Sequence, residues 1–92
     1  MSLASRLEQA LTAVAEALES GDALAAAAAS EHSSRICQEA EAAGERVPAE
    51  ALPALLRVQA RADAAARAAS ERLAHEMDLA SVGRRATEAY GR

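Results

Sequence analysis

The side chains of this sequence that are able to do chemistry are few, and their spacing works against them. His32, Cys37 and His75 are the soft metal-ligand types. His32 and Cys37 lie five apart, so on a helix they diverge, because helix neighbours are three or four apart. The run HEMDL at 75–79 begins as a zinc-binding helix does, yet Leu79 stands where a second histidine is required. Cys37, next to Ile36, reads as a small buried hydrophobe rather than a nucleophile. SEHSS at 30–34 gathers Ser, Glu and His, but adjacent helical residues point in different directions. No glycine-rich phosphate loop is present. The expectation is a protein without metal, cofactor or catalysis, working through its surface.

Charge narrows the partners. The 92 residues carry a net charge of −4, and all ten basic residues are Arg. The imbalance is local: residues 1–50 hold nine acids against three Arg, and residues 51–92 hold five acids against seven. Arg57, Arg61, Arg67 and Arg72 are strung along the second half with no aromatic on which a base could stack. They read as a solvated face that pairs with the acidic first half. Nucleic acid and anionic membrane are excluded as expected partners. The longest apolar run, Ala23 to Ala29, falls far short of the roughly 18 residues of a membrane span. Glu8 and Glu16 interrupt any secretory signal, and one Cys suits a reducing compartment, so a cytoplasmic location is expected.

The elements carrying these residues are helices. Hydrophobic residues make up 51% of the sequence, more than half of them Ala, and Gly and Pro number only 4 and 2. Ala is the best helix former, with Leu, Arg, Glu and Gln close behind. The large apolar side chains are too scarce for a broad core, so a narrow seam between closely approaching backbones is expected.

Leu3, Leu7, Leu11, Val14 and Leu18 step by 4, 4, 3 and 4, which is one face of a helix. The same phase runs on through Asp22, Ala25, Ala29, His32, Ile36 and Ala40. It survives SGD at 20–22, and this favours one long helical arm over residues 2–44. The alternative is a break at Gly21, with Asp22 capping a second helix. Gly44 and Pro48 then end the arm, and a turn over 45–52 leads to a second arm over 53–89, with Pro53 in its first turn. The fold class is all-α in a single domain: a long antiparallel hairpin of two arms of roughly 60 Å. A three-helix bundle results if the first arm breaks at Gly21. Either form is expected to assemble into a four-helix-type dimer. Tyr90 is the only aromatic residue. In the hairpin it returns beside Leu3 and Leu7, where its ring either caps the seam or presents itself to a partner.

One family is similar to this pattern. LTAVAEALESGDALAAAAASEHSSRIC at 11–37, with its GD dipeptide, the turn ERVP and the closing AYGR resemble the small flagellar type III export chaperones of the FliT and FlgN types. The resemblance implies a cytoplasmic, all-helical chaperone. It would hold an unassembled filament cap or hook-associated subunit and deliver it to the export gate. It implies substrate contact through Leu55, Val58, Ala62, Ala69 and Leu73 on the second arm, and docking on the gate through Tyr90. The other reading of the same helices is a homo-oligomeric structural or adaptor protein with no export role.

Overall fold

The structure is a computed structural model that describes residues 1–90, with side chains through Ala89. The chain is all-α. Helix α1 spans Leu3–Glu19, α2 spans Ala23–Ala43, a short 3-10 turn covers Ala49–Ala51, and α3 spans Leu52–Tyr90. Ser2 starts α1, its hydroxyl accepting from the Ser5 N–H at 3.1 Å.

The first arm is broken, which corrects the continuous helix expected over 2–44. Gly21 adopts φ 76°, in the left-handed region. Its N–H donates to the Leu18 carbonyl at 3.2 Å, and the Asp22 N–H donates to the Ala17 carbonyl at 2.8 Å. This pair of bonds is the Schellman closure, which satisfies the last carbonyls of a helix. Asp22 then caps α2, its carboxylate accepting from the Ala25 N–H at 3.0 Å. The preserved spacing was misleading: Ala25 and His32 of that phase are exposed, and the face that α2 buries carries Ala26, Ile36 and Ala40. Gly44 closes α2 with the same two bonds, at φ 69°. The 3-10 turn over Ala49–Ala51 leads directly into α3 at Leu52. Pro53 occupies the first turn, where its missing N–H costs nothing.

The three helices are therefore unequal. Helix α1 lies in the middle, packed by α2 on one side and α3 on the other, while α2 and α3 scarcely touch each other. Arg6 meets Glu39 at 3.4 Å, tying the start of α1 to the end of α2. At the opposite end, Arg61 of α3 forks onto the Glu19 carboxylate, and Arg72 donates to the Leu18 carbonyl at 3.4 Å. Arg61 holds the Glu19 carboxyl below its ordinary value, chiefly through the hydrogen bond, with its charge adding to the effect against partial desolvation.

The core is thin. Its buried members among the described residues are Ala10, Ala15, Ala26, Ile36, Ala40, Ala62 and Ala65, and Ile36 alone of these is larger than Ala. Methyl groups in these positions let the helix axes approach closely, as the composition implies. They also cap the stabilisation available, since each buried CH₂-sized group contributes about 0.8 kcal/mol. The molecule measures 65 × 23 × 17 Å. Its length comes from α3, whose 39 residues outrun the 17 of α1. From Ser70 to Ala89 every described residue is exposed except the half-buried Ser81. About 30 Å of helix thus projects beyond the three-helix body.

A candidate helix-binding groove

The leucine stripe of α1 has more surface than α2 and α3 cover. Leu3, Leu7, Leu11, Val14 and Leu18 are all only half-buried. Because α2 and α3 flank α1 and scarcely touch each other, an open trough runs between them with this stripe as its floor. Near the loop end the floor is Leu7 and Leu11, and the walls are Ser33 and Cys37 of α2 with Leu52, Leu55, Leu56 and Gln59 of α3. Further along, the floor becomes Leu11, Val14 and Leu18, between Ala26, Ala27 and Ser30 on one side and Ala62, Asp63 and Ala66 on the other. Leu11, Ser33 and Gln59 belong to both stretches, so the trough is continuous. From Leu7 to Leu18 it runs roughly 16 Å, about three turns of helix.

Its chemistry is apolar and uncharged along most of its length, with Asp63 the acidic exception. Leu56 stands 65% exposed on the rim and Leu52 45%. Apolar side chains left half in water along a concave strip are the features of a helix-in-groove site.

The residues expected to contact substrate are divided by this geometry. Ala62 is buried, and Leu55, Val58 and Ala69 are half-buried on the part of α3 that runs alongside α1. They serve the body of the fold first, although Leu55 and Ala62 also line the trough. Leu73 is separated from them, 58% exposed on the projecting half of α3. The Tyr90 side chain lies outside the described residues.

Cys37 is exposed rather than buried, a correction to the sequence expectation. It follows the buried Ile36. One residue turns a helix by about 100°, which carries Cys37 onto the trough wall. His32 is exposed beside Ile36 at the α1–α2 crease, and His75 is exposed on the projecting half. Among the described residues no cluster of His, Cys, Asp and Glu is arranged to hold a metal ion. No helix of the described chain is long and apolar enough to cross a membrane.

Sequence reasoning missed Leu7, Leu11, Val14, Leu18, Leu52 and Leu56 as surface. Their spacing marked an apolar face, but how many neighbours cover such a face depends on where the chain turns. No family model, curated protein or solved structure matches the chain.

Proposed function

We propose that this protein is a helix-holding chaperone whose trough takes an apolar amphipathic helix of another protein. The observation that carries this reading is the half-covered leucine stripe of α1, left open between two helices that do not close over it. A client helix laid there would complete a four-helix cross-section and bury the leucines on both sides. It would keep the client from pairing with its own kind. The resemblance to flagellar export chaperones names the client class: the helical end of an unassembled filament cap or hook-associated subunit, held in the cytoplasm. In this proposal Tyr90 docks the loaded chaperone on the export gate.

The test is a titration with a helical peptide from the end of such a subunit, against a scrambled peptide of equal composition. Leu56→Glu places a charge on the rim without touching the buried core, so helicity should be retained and peptide binding lost. Tyr90→Ala should bind peptide normally and dock weakly on the gate. Equal binding of both peptides, or undiminished binding by folded Leu56→Glu, removes the trough as the client site.

A second reading, a homo-oligomeric adaptor, is favoured by a separate observation. Leu73 and Met77 stand 58% and 62% exposed on the half of α3 that projects beyond the body.

A further inference from the structure

The groove-facing side of α3 carries one uninterrupted strip. Leu52, Leu56, Gln59, Asp63, Ala66, Ser70, Leu73 and Met77 alternate in steps of four and three. A period midway between three and four is the mark of a seam between paired helices. The strip crosses from the trough wall onto the projecting half without a change of phase. At either end it is apolar, and between the ends it carries the polar Gln59 and Asp63 and then the small Ala66 and Ser70.

Charge follows the same geometry. The loop end of the body is acidic, with exposed Glu41, Glu45 and Glu50 against Arg46. The far part of α3 presents exposed Arg84 and Arg85 side by side, with exposed Asp78 before them and Glu88 after them. Within one copy these groups lie at opposite ends of the molecule, because most of α3 separates Glu50 from Arg84. They have no means of meeting except across two molecules.

We propose that two copies of this chain pair through antiparallel α3 helices, each laying its projecting half in the other's trough. Placing residues 70–84 of one copy against 52–66 of the other sets the two-fold axis beside Ala68. The small residues Ala66 and Ser70 then let the helices approach at the axis. Leu73 then falls opposite Asp63 and Met77 opposite Gln59, over the Leu11–Leu18 stretch of the second copy's floor, and Arg84 and Arg85 arrive at its acidic loop. The contact is made twice by symmetry, so walls, floors and projecting halves together engage about 20–30 residues per copy, the size of a stable interface. The projecting half of one copy supplies the fourth helix of the other. The pairing goes beyond the client-holding role, since it names what occupies the trough when no client is present.

Cys37 provides the test. It lines the same stretch of trough as Gln59. Met77 lies about five turns further along α3, roughly 27 Å from Gln59 in one copy. In the paired arrangement Met77 of one copy lies opposite Gln59 of the other. Met77→Cys should therefore form a disulfide-linked dimer with native Cys37 under mild oxidation. His75→Cys, on the opposite face of the helix, should not. Light scattering should give the wild type about twice its 9.5 kDa chain mass. Leu73→Glu should be monomeric with unchanged helicity, because Leu73 belongs to the half of α3 that projects beyond the body. A wild-type monomer at every concentration, or equal cross-linking by the two cysteine variants, overturns the pairing. Peptide titration of Met77→Glu, which should likewise be monomeric and lies outside the expected client contacts, tests the client role separately: binding there with a failed cross-link leaves that role standing alone.

Discussion

Replacing Gly21 by Ala sets the turn between α1 and α2 against the helix that the sequence spacing would support. Gly21 has φ 76°, and a Cβ there would meet nothing within 4 Å. An L-residue in that conformation is still strained by roughly 1–2 kcal/mol. In a continuous helix the same substitution is favourable by about 1 kcal/mol. The balance between hairpin and straight rod therefore moves by about 2–3 kcal/mol toward the rod. Opening the hairpin would uncover the buried Ile36, Ala10, Ala15, Ala26 and Ala40. The isoleucine accounts for about 2 kcal/mol and each alanine for up to about 0.8 kcal/mol. Burial exceeds the swing, so Gly21→Ala keeps the three-helix fold with its stability lowered by about 1–2 kcal/mol. For a domain of this size the midpoint of thermal unfolding should fall by about 5–15 °C. Circular dichroism melts read the fall, and backbone chemical shifts over residues 19–24 should show the wild-type turn. A midpoint that is unchanged or raised, with unbroken helical shifts through Gly21 in the wild type, would refute the reasoning.

Other substitutions probe the rest of the structure. Ala15, 0% exposed, sits where α1 is most closely packed. Ala15→Leu should destabilise by about 1–3 kcal/mol despite its greater hydrophobicity; denaturant titration measures it. Gly83 lies in the projecting half with open space around its Cβ position. Gly83→Ala should therefore raise the helical circular dichroism signal, by removing a local cost of about 1 kcal/mol. Glu19 has its carboxyl lowered by Arg61 from the ordinary value of 4.5. The pair therefore contributes in full above that ordinary value and fades as pH falls through the lower folded value. The difference in melting midpoint between wild type and Glu19→Gln should thus hold near neutrality and vanish in acid; a difference independent of pH would show that the Arg61 pair is not its source.

Much of the fold was legible because helix signals are local. The leucines of α1 showed their face by spacing alone, and Gly44 with Pro48 marked the end of α2. Pro53 announced a first turn. The break at Gly21 was also written there, in Gly21 followed by Asp22, but an in-phase apolar pattern outweighed it. Phase records which residues share a face and is silent about whether the chain reverses. That single reversal decides how much of α1 is covered. It turns two equal rods into a short body with a long projecting helix, and it opens the trough. Of the residues on α3, Ala62 is taken up by packing against the body, while Leu56, one turn from Leu52 on the rim, stands free. The complementary charges of the two halves were visible from the outset, and Arg61 with Glu19 realises them across α3 and α1.

The central claim is that the leucine floor of α1 is covered by a helix that does not come from its own copy. Isotope-filtered nuclear Overhauser spectra of a sample mixed from labelled and unlabelled chains address it directly. The methyls of Leu7, Leu11 and Leu56 should show cross-peaks to the Met77 methyl of the unlabelled copy, replaced by cross-peaks to a client peptide when one is added. A spectrum in which those methyls see only their own chain, with and without peptide, contradicts the account.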